Sequence, residues 1–188
     1  QWELIAGVRI EHTDQGYTLK FPTENAAPEG NQRYTDILPS FHAKYAIHSN
    51  GNLRFSYARA INRPSFFEIV PYSIINEDYK EKGNPELKHT VADNIDLRYE
   101  FFPRSSEQLM VGLFYKNIKD PIEYGLLNEG QDTYYKPMNF GTANNWGLEV
   151  DILKYFNWLG IKANYTYTYS KITTEKRVMQ GSEVTSTT

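Results

Sequence analysis

The clearest structural signal in this chain is the stretch LGIKANYTYTYS at residues 159–170. Apolar or aromatic residues occupy every second position from Leu159 to Tyr169, and mostly polar residues lie between them. Side chains that alternate in this way point to opposite faces of a β-strand. The stretch therefore predicts a strand with one apolar face and one polar face.

The same period of two recurs along the chain and predicts seven strands. The fifth strand is predicted with a continuation through Pro121 to Leu127, which the proline weakens. The sixth is predicted as one unusually long strand, and helical periodicity is not convincing anywhere. The predicted strands lie at residues 2–11, 41–48 (with the chain resuming near Tyr34), 53–58, 91–101, 109–115, 134–155 and 159–170.

Short and long connections between these strands alternate. Asn50-Gly51 predicts a hairpin turn with positive φ at both residues, and compact turns are predicted at 103–106 and 156–158. Long polar loops are predicted from Asp14 to about Tyr34 and from Asn62 to His89, and another turn at 128–131. Outer-membrane barrels have short periplasmic turns and long outer loops. We therefore predict an all-β fold, an antiparallel up-and-down meander that is a partial transmembrane β-barrel.

Composition narrows the class of protein. The 188 residues include 15 Tyr, 10 Phe and 3 Trp, and this aromatic content favours strands. A net charge of −3 gives no basic surface for nucleic acid, and the absence of cysteine excludes disulfides and thiolate metal sites. No apolar run is long enough for a membrane helix, and a mean hydropathy of −0.61 is compatible with strands that alternate between lipid and a polar lumen.

Six segments, in this order, make the chain resemble the barrel of a TonB-dependent outer-membrane receptor. The most specific is the pairing of Arg63-Pro64 with Gly83-Asn84-Pro85 between two strands. The segments are Ala6-Gly7-Val8-Arg9; Tyr34 with Ile37-Leu38-Pro39-Ser40; Arg54-Phe55-Ser56-Tyr57-Ala58-Arg59 with Asn62-Arg63-Pro64; Gly83-Asn84-Pro85-Glu86-Leu87; Phe114-Tyr115-Lys116; and Asn139-Phe140-Gly141 with Gly147-Leu148-Glu149.

The resemblance implies a fragment of a larger protein in the bacterial outer membrane. Seven strands are fewer than the eight of the smallest single-chain barrels, so we expect residues 1–188 to be part of one β-barrel domain. The plug domain and the barrel remainder are expected to lie outside this sequence, and the polar tail at 182–188 to be the start of another outer loop. The isolated fragment is expected to self-associate through its sheet edges.

The resemblance also implies a function for the parent protein. Such a receptor binds and imports a scarce or large nutrient (siderophore, cofactor, glycan or peptide), and the energy-coupling protein TonB acts through the plug. Its partners would be outer-membrane lipid, TonB and the nutrient, with no enzymatic activity and no cofactor. Two alternatives are a non-transporting outer-membrane barrel for adhesion or scaffolding, and a soluble carbohydrate-binding β-sheet module.

The loop at 62–89 carries the residues that we predict to contact a ligand, because it mixes aromatic rings with amide groups. The alternative for the adjacent pair Phe66 and Phe67 is that they pack the loop on itself or against the barrel rim. The candidate residues are Phe66, Phe67, Tyr72, Asn76, Tyr79 and Asn84.

Other polar or aromatic groups receive simpler interpretations. Glu149 and Asp151 are spaced as paired carboxylates, but a polar lumen face explains them without catalysis. His42 and His48 are predicted on one face, too far apart to share a metal ion. The tyrosines at 165, 167 and 169 are predicted to form part of an interfacial aromatic girdle, with a sugar-stacking platform as the alternative.

Overall fold

A computed structural model describes residues 1–22, 26–75, 80–129, 132–173, 176–180 and 183–187. These residues form thirteen strands and a single turn of helix. The elements are β1 Trp2–Thr18, β2 Glu29–His48, β3 Gly51–Asn62, α1 Phe66–Ile69, β4 Ser73–Ile75, β5 Lys80–Lys82, β6 Thr90–Arg104, β7 Glu107–Lys119, β8 Ile122–Glu129, β9 Asp132–Asn139, β10 Thr142–Phe156, β11 Leu159–Thr173, β12 Lys176–Gln180 and β13 Glu183–Thr187.

Seven long strands form one antiparallel sheet in the order β1-β2-β3-β6-β7-β10-β11. The predicted antiparallel up-and-down meander of seven strands is confirmed, although the bounds of some predicted strands differ. Among the described residues, no helix is both long and apolar enough to span a membrane. Strands β1 and β11 are the two edges of this open sheet, and the expected self-association of the isolated fragment through them stays a prediction.

The strand register brings the apolar positions of all seven strands onto one face of the sheet. Leu113, for example, lies between Leu97 on β6 and Leu148 on β10. No layer of the described residues covers this face, since Leu113 is 53% exposed and Val8 is 69% exposed. A water-soluble protein rarely exposes so extended an apolar surface. Strands of a membrane β-barrel carry such an apolar band on their outward face.

Polar rows bound this apolar face at both ends. At the loop end, Arg59 on β3 is the cross-strand partner of Asp93 on β6, and Asn144 accepts a hydrogen bond from Asn117 at 2.7 Å.

 The Asp93 carboxylate accepts hydrogen bonds from the Arg59 guanidinium and the Tyr57 hydroxyl, both at 2.8 Å. At the turn end, Lys154 on β10 donates to Glu107 on β7 at 2.8 Å.

The distance between these two rows matches a membrane. Asn144 and Lys154 are ten residues apart on the same face of β10. At about 3.3 Å per residue and a strand tilt of roughly 40°, that length spans a height of about 25 Å. The row that contains Leu113 and Leu148 lies near the middle of this span. On the loop side of this span, Trp146 packs against Tyr169 with ring centroids 5.5 Å apart. The interfacial girdle predicted at residues 165, 167 and 169 stays a prediction.

The tight turns and the loops fall on opposite ends of the sheet, as predicted. Two-residue turns at 49–50, 105–106 and 157–158 join β2 to β3, β6 to β7 and β10 to β11. The first turn differs from the prediction in its detail. His48 pairs with Gly51, so the turn is Ser49-Asn50, and among the described residues positive φ is found at Asp120 and Gly141 but at neither Asn50 nor Gly51.

The first loop is shorter than predicted because both of its strands continue outward. Strand β1 pairs with β2 as far as Thr18 and Glu29. Polar side chains support this extension: Asn31 donates to Asp14 at 2.9 Å, and Arg33 forms an ion pair with Asp14 at 2.7 Å. Cross-strand polar pairs stabilise a hairpin beyond the apolar band, where alternation between apolar and polar residues is no longer required.

The prediction of one strand at 134–155 is wrong, and so is the continuation of the fifth strand through Pro121. The chain leaves the main sheet after Lys119 and returns at Thr142, with β8 and β9 forming a separate hairpin. Asp120 N donates to Gly141 O at 3.1 Å, and Phe140 N donates to Pro121 O at 2.9 Å. These bonds close the base of the hairpin, and positive φ at Asp120 (52°) and Gly141 (37°) turns the chain on each side.

The loops form a second, smaller layer on the outer side. Strands from two loops combine into a four-stranded sheet in the order β4-β5-β9-β8, in which β5 and β9 are parallel. A small core of Tyr17, Ile69, Val70 and Leu87 supports it. The backbone at 183–187, within the polar C-terminal tail, forms strand β13 of the hairpin of β12 and β13. The assignment of this tail to the start of another outer loop stays a prediction.

Candidate functional site

The connection between β3 and β6 carries the predicted ligand residues and is organised by α1. Glu68 N donates to Ser65 Oγ at 3.3 Å, and Ser65 N donates to Glu68 Oε2 at 2.6 Å. This reciprocal cap satisfies backbone donors that a short helix would otherwise leave unpaired. It fixes a turn that buries Ile69 and directs Phe66 and Phe67 outward.

Phe66 and Phe67 are exposed on this turn. Phe66 is 55% exposed and Phe67 is 74% exposed, and their rings meet edge to face with centroids 6.1 Å apart. The aliphatic residues Ile69 and Leu87, exposed by only 1% and 2%, form the loop interior instead. Both phenyl rings are therefore positioned where an external molecule can reach them, and their contact with a ligand stays a prediction.

Tyr72 and Asn84 hold the loop together through their polar groups. The Tyr72 hydroxyl donates to Glu81 Oε1 at 2.6 Å, and burial together with this hydrogen bond raises the pKa of Tyr72. Asn84 is buried, donating its side-chain amide to Pro137 O at 2.9 Å and its backbone N–H to Glu68 O at 2.6 Å. These contacts link the loop to β5 and β9.

The other two predicted ligand residues, Asn76 and Tyr79, lie outside the described residues. Together the six candidates therefore divide into an exposed phenylalanine pair, two residues with structural hydrogen bonds, and two without a described position. The structure brings Phe66, Phe67, Tyr72 and Asn84 into one folded loop. It places the phenylalanines at the loop surface and Asn84 in the loop interior.

Sequence reasoning missed a second amphipathic surface, on one face of the four-stranded loop sheet. Ile74, Glu81, Tyr135 and Leu126 are consecutive cross-strand partners on this face. Ile74 is 50% exposed and Leu126 is 59% exposed. Tyr124 lies two positions from Leu126, and burial raises its pKa, with the nearby carboxylates Glu81 and Glu68 adding to the effect. We call these residues, with Phe66 and Phe67, the outer-loop surface.

Asn139 joins the two loops beneath the outer-loop surface. Its side-chain Oδ1 accepts from Lys88 N at 2.8 Å, while its Nδ2 donates to Lys88 O and Asp120 O, both at 2.9 Å. The Asn139-Phe140-Gly141 segment, chosen from the sequence as part of a family resemblance, is thus a structural tie between the β3–β6 and β7–β10 connections.

We expect Asn139→Ala to loosen both loops while leaving the main sheet paired. The substitution removes three hydrogen bonds to backbone groups, and we expect it to lower the free energy of local loop opening by about 1–2 kcal/mol. Hydrogen exchange of the full-length protein measures this directly. Amides at 63–89 and 120–141 should exchange faster, whereas Asn31→Ala, which removes one exposed hydrogen bond to Asp14, should leave them unchanged. Equal protection in Asn139→Ala and the unsubstituted protein would contradict the assignment.

Long polar side chains anchor the β3–β6 connection to the first hairpin. Gln32 donates to Pro85 O at 2.7 Å and to Leu87 O at 2.8 Å. Arg63 donates to Thr13 Oγ1 at 2.8 Å and forms an ion pair with Glu11, which raises the pKa of Arg63. The loop is therefore fixed at both of its ends.

His89 adds a further anchor where this connection enters β6. Its imidazole lies 2.9 Å from Asp36 Oδ1 and stacks on the Tyr34 ring with centroids 4.1 Å apart. Both partners are on β2. This contact holds the end of the loop against the polar face of the main sheet.

The polar face of the main sheet carries three cations in one cross-strand row. Lys44, Arg54 and Arg98 are direct partners on β2, β3 and β6. Adjacent like charges repel, and each cation has an anionic partner. The ion pairs are Lys44–Glu3 at 3.5 Å, Arg54–Glu100 at 2.8 Å and Arg98–Glu149 at 3.3 Å. The row lines a cavity of about 310 Å³.

Glu149 and Asp151 point to this polar face but have separate partners. Glu149 forms an ion pair with Arg98, and Asp151 accepts a hydrogen bond from Gln108 at 2.7 Å. Charge pairing within the polar face accounts for both carboxylates. Their predicted interpretation as lumen-face residues is consistent with these contacts.

The two histidines do not share a face, contrary to the prediction. A β-bulge between Ala46 and His48 shifts the register, so His48 lies opposite Gly51 while His42 lies opposite Ser56. Gly51 and Ser56 are on opposite faces of β3. Across the described part of the chain, no three His, Cys, Asp or Glu residues come together in a group that could hold a metal ion.

Comparison with sequence models of known protein families gives a match. The sequence model of the outer membrane protein beta-barrel family matches residues 1–188. A comparison with curated protein sequences gives no match.

Solved structures with a similar fold include three receptors. The siderophore receptor PirA from Pseudomonas aeruginosa aligns with a TM-score of 0.66 and 17% identity, over 93% of this chain and 35% of PirA. The Serratia marcescens hemophore receptor HasR, in complex with its hemophore HasA and heme, aligns with a TM-score of 0.68 and 13% identity, over 89% and 31% of the two chains. A ferric enterobactin receptor PfeA mutant from P. aeruginosa, in complex with enterobactin, has a TM-score of 0.61 and 20% identity, over 74% and 23%.

These alignments concern only part of each receptor. The chain spans about a third or less of the length of the receptors that it matches. At these identities the likeness is one of fold. The resemblance noted from the sequence is confirmed at that level, with an open seven-stranded sheet that corresponds to part of a larger barrel wall.

Proposed function

Because this chain belongs to the outer membrane protein beta-barrel family, we propose that it forms part of the wall and outer surface of a receptor that imports a scarce or large nutrient. The observation that carries this proposal is the folding of two loops into one outer-loop surface above a charged polar face. A barrel used only as a scaffold has no need to combine distant loops in this way. The family match also argues against the soluble carbohydrate-binding alternative.

An iron chelate or heme-like ligand is the nutrient class that we favour. The similar structures include receptors for siderophores and for a heme-carrying hemophore. Exposed aromatic rings such as Phe66 and Phe67 provide flat apolar faces for the aromatic parts of such ligands. A cofactor, glycan or peptide remains compatible with the same surface.

Import would require parts of the parent protein beyond this chain. In the proposed mechanism, the ligand first contacts the outer-loop surface, and the row of Lys44, Arg54 and Arg98 lines the space through which it passes. A plug domain of the parent would occupy that space, and the energy-coupling protein TonB would act through the plug. The polar face supplies charged groups to such a domain and to the ligand.

We expect Phe66→Ala/Phe67→Ala in the full-length protein to weaken ligand binding about tenfold, because it removes two exposed aromatic contacts. The probes are ferric enterobactin, hemin and cyanocobalamin, each titrated against the detergent-purified protein by quenching of intrinsic fluorescence. The matched control is Ile75→Ala, which removes an apolar side chain that is 75% exposed on the other face of the loop sheet. The control should bind normally.

Each result bears on a different part of the proposal. Binding of at least one probe, weakened by the double substitution but not by Ile75→Ala, would support both the receptor function and the site. Binding that the double substitution leaves unchanged would remove the phenylalanine pair from the site. A full-length protein that binds neither ferric enterobactin nor hemin would contradict the favoured ligand class.

A further inference from the structure

The turn end of the apolar face carries a charged cluster that the proposed import function does not use. Glu107, at the start of β7, is almost fully buried, with 2% of its surface exposed. Its Oε2 accepts from Lys154 Nζ at 2.8 Å, and its Oε1 accepts from Tyr155 N at 3.3 Å. Arg104 Nη1 lies 3.9 Å from the same carboxylate, beyond hydrogen-bond distance. We call Arg104, Glu107 and Lys154 the turn-side triad.

The triad faces lipid. Lys154 lies two residues from Ile152, and Glu107 lies two residues from Leu109, so both belong to the apolar face. Arg104 is the cross-strand partner of Glu107. The triad therefore lies where the apolar band of about 25 Å ends. On the tight-turn side of an outer-membrane barrel, this position is the headgroup level of the periplasmic leaflet.

The triad has an excess of positive charge. Two cations surround one carboxylate, and Glu107 uses both of its oxygens on Lys154 and the backbone of Tyr155. The side chain of Arg104 is 73% exposed and that of Lys154 is 43% exposed, so both cationic groups reach outward from the buried carboxylate. An anion that approaches from the membrane surface meets Lys154, which is paired with Glu107, and Arg104, which lies near the same carboxylate.

Aromatic side chains flank the same position. The triad cations line a shallow pocket of about 340 Å³ together with Tyr155, Phe156, Asn157 and Trp158. Trp158 is 88% exposed and Phe156 is 53% exposed. Aromatic residues favour the boundary between acyl chains and headgroups. The pocket therefore combines a cationic centre with an apolar border, as a phospholipid headgroup and its upper acyl chains require.

We propose that this pocket binds the phosphate of an anionic phospholipid in the periplasmic leaflet, between Arg104 and Lys154. The remaining tight turn, from His48 to Gly51, contains no lysine or arginine. The site would fasten the β6–β7 and β10–β11 turns to the inner leaflet. It depends on the membrane location of the chain and is independent of nutrient import.

The test uses the full-length protein, purified in detergent and titrated with dioleoyl phosphatidylglycerol. Native mass spectrometry reports how many lipids remain bound and at what affinity. Arg104→Gln leaves the 2.8 Å Lys154–Glu107 pair intact, and we expect it to weaken lipid binding roughly fivefold, the effect of one cation near an anionic lipid surface. The triple variant Arg104→Gln/Glu107→Gln/Lys154→Gln removes both cations without leaving a buried charge. We expect it to weaken binding about twentyfold.

Two further variants separate the site from general effects. Lys162→Gln removes a cation from the polar face at the same level, since Lys162 pairs with Leu153, and we expect unchanged lipid binding. Trp158→Ser changes a side chain that is 88% exposed, so the barrel should fold normally, and we expect roughly threefold weaker binding. Unchanged affinity in Arg104→Gln and Trp158→Ser, or an equal loss in Lys162→Gln, would overturn the proposal.

Competition with glycerol phosphate distinguishes a lipid from a free anion. Its phosphate is a monoester with more negative charge than the lipid's phosphodiester, and it has no acyl chains to contact Phe156 and Trp158. We expect millimolar glycerol phosphate to leave phosphatidylglycerol bound. Full displacement would show an anion site that does not select lipid, and would also overturn the proposal.

Discussion

Leu113→Arg is expected to destabilise the folded full-length barrel in a bilayer by about 2–4 kcal/mol. Leu113 lies between Leu97 and Leu148 in the row near the middle of the apolar band, and it is 53% exposed on the apolar face, which we expect to contact lipid. A guanidinium at this depth has neither water nor an acidic partner among the residues directly opposite it. Urea titration of the protein folded in vesicles, followed by heat-dependent mobility on gels, measures the change.

The matched control is Met110→Arg, three residues away on the same strand but on the polar face. Met110 lies between Glu100 and Asp151, so a new cation would have two acidic neighbours. We expect little loss of stability, or a small gain. If Met110→Arg destabilised the barrel as much as Leu113→Arg, the assignment of the two faces would be wrong.

The main sheet could be predicted from the sequence because each of its strands carries its own signal. In β11, the alternation from Leu159 to Tyr169 identifies both the strand and its apolar face without any knowledge of its neighbours. The start of the strand predicted at 134–155 was wrong for a related reason. Alternation continues through Phe140 and Gly141, so nothing in the period of two reveals the break that positive φ at Gly141 produces.

The candidate site was less predictable, since it depends on contacts between distant segments. Strands β4 and β5 have three residues each, too few to show a period, and the parallel pairing of Lys80 with Tyr134 joins residues more than fifty positions apart. The environment of Asn84 could not be predicted for the same reason. The mixture of aromatic and amide residues in its loop suggested a ligand contact. In the structure its side-chain amide donates to Pro137 O, a group that no local sequence pattern places beside it.

Glycine at position 147 is a second requirement of the main sheet that the sequence pattern alone does not explain. A Cβ at Gly147 would lie 2.1 Å from the backbone oxygen of Tyr167 on β11 and 2.5 Å from the Phe114 ring on β7. The Tyr167 oxygen cannot yield cheaply, because it belongs to the backbone of the paired strand. Strand β10 can therefore pair closely on both sides only if this position has no side chain.

We expect Gly147→Ala to destabilise the full-length barrel by about 3 kcal/mol, the upper end of the usual cost of overpacking. The control is Gly112, which lies on the same face of the adjacent strand β7. A Cβ at Gly112 would have Arg98 Nε as its nearest atom, at an ordinary contact distance of 3.5 Å. Gly112→Ala should be neutral or slightly stabilising, because alanine loses less conformational freedom than glycine in a strand. Urea titration of both variants in vesicles measures the difference. Similar unfolding midpoints would mean that β10 and β11 can separate enough to admit a methyl group, and that the close pairing at Gly147 is not needed for stability.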